Sequence, residues 1–419
     1  MKLYSSLFLL LISSAYGQTS KEHWVTTWTT AQPLIRNVPV QRAAGTAAPK
    51  APPKAANPTQ TINSQGFHNQ TVRMIAHTSI GGPKLRVKLS NPFGGTPVTL
   101  STAHVAIRSK ESEIVAGSDR ALLFNGKPGC TLGPGMVMFS DPVDLVTSSQ
   151  SDLAVSLYFS GETGAPSSHN AFHTTFISKD GDQTSAASIA DPIKTQLYYW
   201  LEGIDVLAPQ NAAVIVTFGD SITDGALSTP DTNHMWPAVL SARLAANKST
   251  SHIAVANMGI GGNRVLRDGT GASALARFDR DVLSLSGVKW VMLLEGINDI
   301  GHGNTEPVTA DELIGAFKQL IERAHTHGVK VVGCTLTPYG GAGYSREEGE
   351  AIREALNSWI RTGGAFDAVV DFEAATRDPN NPKRIRAEFD PGDHLHPNDA
   401  GYQAMAEAID LSIFTKKRR

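Results

Sequence analysis

The chain has 419 residues, of which 41% are hydrophobic and 18% charged, with a formal net charge of −2. That length exceeds one comfortable core and points to two domains, with the composition of an ordinary globular protein. The near-neutral charge gives no general electrostatic case for nucleic acid or an anionic membrane as partner.

Taken in chain order, the first feature is residues 1–17. Lys2 supplies a positive start, SLFLLLISSA an apolar run, and Ala15-Tyr16-Gly17 the cleavage region. This is the pattern of a secretory signal peptide cut after Gly17, and it sets the expectation of a secreted, extracellular protein. The run is too short to span a bilayer, and no later stretch approaches the roughly 20 apolar residues a span needs, so no stable membrane insertion is expected. In a secreted eukaryotic chain, Asn69-Gln70-Thr71 and Asn247-Lys248-Ser249 make Asn69 and Asn247 N-glycosylation acceptors. The two cysteines, Cys130 and Cys334, are candidates for a bridge that would staple two domains together in an oxidising compartment. The alternative is two separate buried thiols, which the apolar run VVGCTL suggests for Cys334.

Residues 36–66 are rich in Ala, Pro, Asn and Gln, a composition that buries little and reads as a surface loop. From about 70 to 200, runs such as TVRMIAHTSI, KLRVKLSN, VTLSTAHVAIR and DLAVSLYFS are separated by GGP, NPFGG and SGETG. Short β-type runs with turn residues between them predict an antiparallel β-sandwich, assigned to residues 18–205. After residue 210 the rhythm changes. NAAVIVTFG, HIAVANMG, VKWVMLLEG, KVVGCTLTP and FDAVVDF are short apolar runs, and helical patterns lie between them. Two of those helices carry capping-box signatures, Thr309 with Glu312 and Ser345 with Glu348, and Gly328 closes the first. Near-continuous apolar strands alternating with helices predict a five-stranded parallel sheet buried on both faces, here residues 210–415. The C-terminal KKRR reads as a solvated tail.

In such sheets ligands bind at the carboxyl ends of the strands. Four polar clusters follow strand ends: Gly219-Asp220-Ser221, Asn257 to Asn263, Gly296 to Asp299, and PGDHLHPND with Asp393 and His396. A serine hydroxyl is a weak nucleophile until a base stands in hydrogen-bond reach, and His396 can be that base for Ser221. Asp393, one tight turn upstream, can orient the ring and stabilise the imidazolium. Acyl transfer also needs donors aimed at a developing oxyanion. The backbone N–H groups of Ser221 and Gly262 and the side-chain amide of Asn298 are the candidates, with Gly259 and Gly261 as rivals to Gly262.

These blocks resemble those of the SGNH (GDSL-type) hydrolases: GDSITDG, NMGIGG, GIND and DHLH appear in that family's order across about residues 212–414. The serine block departs from the family pattern only in reading GDSI rather than GDSL. The resemblance implies a flavodoxin-like three-layer αβα domain, ester hydrolysis, a catalytic triad of Ser221, Asp393 and His396, and an oxyanion hole of Ser221, Gly262 and Asn298; with no third or fourth ligand cluster at the strand ends, no metal or cofactor is expected. HWVTTWTTAQP with LRVKLSNPFGGTPVTL is similar to a secreted subgroup that has a β-domain before the catalytic one.

The expectation is therefore a secreted serine esterase acting on a small-molecule or polysaccharide ester, with acetylated carbohydrate or short-chain esters as substrate. Rival readings are a lipase or acylhydrolase on lipid esters, a carbohydrate-binding protein with an inactive hydrolase domain, and metal-assisted hydrolysis through Asp393, His394 and His396. His234 and His302 read as surface histidines near strand ends. Trp24, Trp28 and Trp236 read as core aromatics in preference to stacking platforms.

Overall fold

A computed structural model describes residues 22–34 and 66–415. The expected signal peptide, nearly all of the Ala/Pro-rich loop and the KKRR tail lie outside the described residues. Thirteen strands build the N-terminal part: β1 (Glu22–Thr29), β2 (Gln70–His77), β3 (Gly82–Ser90), β4 (Val98–Leu100), β5 (Thr102–Ile107), β6 (Arg120–Leu122), β7 (Cys130–Leu132), β8 (Val137–Phe139), β9 (Val143–Thr147), β10 (Asp152–Phe159), β11 (Ser168–Ile177), β12 (Ile193–Tyr199) and β13 (Leu201–Pro209). One sheet runs β1-β13-β3-β8 with β9 also on β3, a second runs β12-β11-β2-β10-β5-β6, and β4 pairs with β7. Alternation along β10 shows why they form a sandwich. Leu153, Val155, Leu157 and Phe159 point inward and join Val72, Met74, Val87 and Leu89 in one buried apolar cluster.

The chain then changes architecture between Pro209 and Ala213. Strands β14 (Ala213–Gly219), β15 (Ile253–Gly259), β16 (Val288–Leu294), β17 (Lys330–Cys334) and β18 (Ala368–Val370) form one parallel sheet in the order β15-β14-β16-β17-β18. This is the flavodoxin-like 2-1-3-4-5 order. Strand β14 is buried along its whole length, as a central strand covered on both faces requires. Right-handed crossovers place the helix Trp236–Ala246 on one face and the helices Ala310–Thr326 and Glu347–Thr362 on the other. Helix Ala310–Thr326 buries Leu313, Ala316, Phe317, Leu320, Ile321 and Ala324, one stripe at three- and four-residue spacing. Its capping box forms as expected, with Thr309 and Glu312 each satisfying the other's backbone N–H. The second expected box does not form. The helix starts at Glu347 after an N-cap Arg346 without a side-chain cap, because Ser345 instead accepts from the N–H of Gly341 in the preceding loop.

The bridge between Cys130 and Cys334 also does not form, and both thiols are free. Cys130 sits on the small β4-β7 sheet of the sandwich, while Cys334 ends β17 inside the parallel sheet, 1% exposed. Asn69 has a positive φ of 49° and accepts from the Tyr158 hydroxyl, whereas Asn247 is exposed just after a helix and accepts from Ser249.

The sandwich covers the open edge of the parallel sheet. β1 packs on the edge strand β15, the Thr29 hydroxyl donates to Asn257 O at 3.0 Å, and the Ser79 hydroxyl donates to Val255 O at 2.7 Å. An unpaired strand edge would otherwise offer its carbonyls to another chain.

Candidate active site

Strands β14 and β16 are neighbours whose onward connections run in opposite directions. Their carboxyl ends therefore flank the topological switch point at which doubly wound sheets bind ligands. Ser221 follows β14, Gly262 follows β15, and Asn298 follows β16. The turn after β14 is tight: a Cβ on Gly219 would lie 2.1 Å from Thr223 Oγ1 and 2.4 Å from Leu294 O, so only glycine fits. Asp220 caps the four-residue helix Ser221–Asp224 by accepting from Ile222 N at 2.9 Å, which turns the Ser221 side chain outward.

His396 arrives from the far end of the chain. Its Nε2 is 2.8 Å from Ser221 Oγ, and its Nδ1 is 2.6 Å from Asp393 Oδ2. The loop is built to hold that geometry, since Asp393 Oδ1 accepts from the N–H groups of both Leu395 and His396 at 3.0 Å. Burial works to raise the Asp393 carboxyl. The hydrogen bond with His396 and the two from backbone N–H groups outweigh it and hold the carboxyl below the usual range. Asp393 is thus an ionised acceptor, which places a proton on His396 Nδ1 and leaves Nε2 free to take one from Ser221.

Asn298 is 5% exposed and its amide orientation is defined by chemistry. Nδ2 donates to Asn263 O at 2.9 Å, and Oδ1 accepts from the Tyr344 hydroxyl at 3.3 Å. Asn263 O can only accept, so the nitrogen must face it, and its second N–H stays available. Gly262 has φ +72°, the left-handed region, and its N–H, like that of Ser221, makes no hydrogen bond among the described residues. Of the rivals, Gly259 still belongs to β15 and its N–H already donates to Asn257 Oδ1. The loop is tied to the turn after β14 by Ile260 N donating to Gly219 O at 3.0 Å.

Beneath the site lies Arg277, 1% exposed, which sequence reasoning missed. Its five N–H groups reach five acceptors: Nε to Asn263 Oδ1, Nη1 to Met258 O and Asp281 Oδ2, Nη2 to Gly219 O and Glu295 Oε1. The guanidinium also lies 3.9 Å from the ring centre of Phe218. One side chain therefore fastens the ends of β14 and β15 to the loop after β16. Three acids crowd the same region. Burial, with mutual repulsion, raises Asp220 and Glu295 above their ordinary range, and burial raises Asp299, which accepts from Val265 N and Leu266 N.

The other singled-out residues have plainer places. His234 pairs with Asp399 at 2.9 Å, and His302 Nδ1 lies 2.7 Å from Asn298 O. His394 turns to Asp390, while both ring nitrogens of His396 are engaged by Ser221 and Asp393, so the trio of the rival metal reading does not converge. Trp236 is fully buried against Phe372, Trp24 lies under the Arg86 guanidinium, and Trp28 faces a cavity between the domains.

A hydroxyl, an imidazole and a carboxylate in line at the switch point of an αβα sheet define the serine-hydrolase class. Residues 217–404 match the model of the GDSL-like lipase/acylhydrolase family, and this stretch is a domain of that family, a carboxylic ester hydrolase. Among solved structures, the chain is similar to a GDSL-like lipase from Bacteroides thetaiotaomicron, with 21% identity over 48% of this chain and 88% of that one and a TM-score of 0.36. It is also similar to a lipolytic G-D-S-L family protein from Veillonella parvula, with 21% identity, 49% and 100% coverage and a TM-score of 0.38. A variant of an acetylxylan esterase from Geobacillus stearothermophilus gives 22% identity, 47% and 91% coverage and a TM-score of 0.36. None of the curated proteins compared with the chain matches it.

Proposed function

We propose that the protein is a secreted serine esterase that hydrolyses acetylated carbohydrate or short-chain esters through an acyl-enzyme. The observation that carries the reading is the unbroken chain of contacts from Ser221 Oγ through His396 to Asp393, at 2.8 Å and 2.6 Å. Ser221 Oγ attacks the ester carbonyl as its proton passes to His396 Nε2. Asp393 holds the imidazolium through Nδ1. The carbonyl oxygen gains negative charge and is met by the N–H groups of Ser221 and Gly262 and by the second amide N–H of Asn298. His396 then hands its proton to the leaving alcohol. A water deprotonated by the same nitrogen attacks the acyl-enzyme, and Ser221 is restored.

The walls around the mouth support a polar alcohol partner. Tyr344 and His302 both contact Asn298, and each carries a hydrogen-bonding group beside the candidate oxyanion donor. The secreted destination rests on the signal-like pattern of residues 1–17.

Ser221→Ala should abolish hydrolysis of p-nitrophenyl acetate while circular dichroism and the melting temperature stay those of the wild type. Wild-type turnover in that variant would remove the serine from its role. A chain-length series from acetate to palmitate, with acetylated xylan alongside, tests the substrate: a preference for long acyl chains would replace this reading with a lipid hydrolase.

A further inference from the structure

A second cavity lies between the two domains, away from the triad. It is a cleft of about 640 Å³ that opens to solvent, and neither Ser221, Gly262, Asn298 nor His396 lines it. The sandwich supplies Trp28, Thr30, His169 and Tyr198, and the hydrolase domain supplies Asp224 and Ala238. A register shift in the β11–β12 pairing between Asn170 and Thr175 lets this part of β11 reach across. There Phe172 O accepts from Asp231 N at 2.7 Å, and Thr174 N donates to Asp231 Oδ1 at the same distance.

Three buried polar atoms of its lining residues have no hydrogen-bond partner among the described residues: His169 Nδ1, Thr30 Oγ1 and His173 Nδ1, the last 3.6 Å from Asp231 Oδ1. His169 and Thr30, which face no such carboxylate through these atoms, are each 4% exposed. Leaving such groups unpaired is unfavourable, so native structures satisfy them with protein, water or ligand. His169 Nε2 is 3.0 Å from Asp224 Oδ1, and a neutral ring that donates there turns the lone pair of Nδ1 to the open side. Thr30 offers a hydroxyl that can donate as well as accept. Trp28 and Tyr198 add ring surface, edge to face at 5.0 Å between centres.

We infer that this cavity is a binding site for an uncharged, hydroxyl-bearing ring, a single sugar unit of a saccharide, held by His169 Nδ1 and Thr30 Oγ1 against Trp28 and Tyr198. A hydroxyl group both donates and accepts, which matches the unpartnered pair. No lysine or arginine lines the cavity and Asp224 does, which disfavours a phosphate or carboxylate. A quaternary ammonium would suit the rings and Asp224 but could not donate to the His169 lone pair. The site is independent of the catalytic assignment, since it needs none of the triad. It gives the sandwich a role in holding a saccharide while its neighbour acts.

The test uses the full chain carrying Ser221→Ala, so that nothing is turned over. Xylotriose, cellotriose, galactose and rhamnose are titrated by calorimetry and by tryptophan fluorescence, with tetramethylammonium chloride as the cationic arm. At least one sugar should bind saturably. Its affinity should fall at least tenfold both in Thr30→Val, which keeps the shape and loses the hydroxyl, and in Ala238→Phe, which pushes a ring into the cavity. Absence of saturable sugar binding, sugar binding that both replacements leave unchanged, or binding of tetramethylammonium alone would each overturn the proposal.

Discussion

Arg277 offers the sharpest test of how the site is held. Replacing it with methionine keeps the apolar stem and removes all five donors. Asp281 and Glu295 then lose a charge partner inside the protein, and Gly219 O, Met258 O and Asn263 Oδ1 lose a hydrogen bond. Breaking a buried ion pair by removing one member costs about 3–5 kcal/mol. The neutral acceptors add to this, offset in part as the acids take up protons and the site relaxes. For a domain of roughly 200 residues, each kcal/mol moves Tm by about 2–4 °C, so the variant should melt roughly 6–20 °C below the wild type. Activity should fall further than stability explains, because the carbonyl of Gly219 beside Ser221 and the side chain of Asn263 beside Gly262 both hang on this group. A displacement of about 1 Å there is worth on the order of 100-fold in rate. Arg277→Lys keeps the charge but supplies three donors from a single point, and should lie between the two. The assays are scanning calorimetry and p-nitrophenyl acetate kinetics well below each Tm. A methionine variant with the Tm and kcat/KM of the wild type would refute the reasoning.

Asn298→Ala should lower kcat by about 10²–10³ with little change in KM, since its free N–H acts on the transition state. Asp393→Asn should lower kcat by about 10⁴, by analogy with other serine triads, because the wrong tautomer of His396 then faces Ser221. Asp220→Asn keeps the acceptor for Ile222 N and removes a carboxyl whose ionisation burial opposes. That opposition costs the folded state nothing below the ordinary carboxylate pKa of about 4 and grows as pH rises, so the variant should gain more in Tm at pH 8 than at pH 4. Dithiothreitol should leave Tm unchanged, and the unfolded, unreduced protein should take up two alkyl groups, as two free thiols require.

Much of the catalytic domain was legible because a parallel strand buried on both faces must be apolar throughout, and β14 and β15 are. The meeting of Ser221, His396 and Asp393 was legible for a different reason: Asp393 and His396 stand one turn apart in a single loop beyond the last strand, so whatever brings one to Ser221 brings the other. Arg277 was not. ASALARFDRDVLSL has a helical pattern in which an arginine reads as solvent-facing, yet the helix is cut to Ala274–Phe278, a π turn follows, and this end points under the sheet. The capping pattern at Ser345 and Glu348 misled because the neighbouring residue, Tyr344, is engaged at Asn298 and Ser345 is drawn into the loop below it. The inter-domain cavity left no linear signal, since Trp28, Thr30 and His169 come from β1, the residue after it, and β11. Strands β11 to β13 were equally quiet, with polar residues and a register shift breaking the alternation of β11.

The central claim is that one hydroxyl is made nucleophilic by an imidazole and a carboxylate. Treating the folded protein with diisopropyl fluorophosphate, followed by intact-mass and peptide analysis, asks this directly. A single organophosphoryl group on the peptide containing Ser221, with loss of esterase activity in the same proportion, is the predicted result. A folded, esterolytic protein that stays unlabelled, or carries its label on another residue, would contradict it.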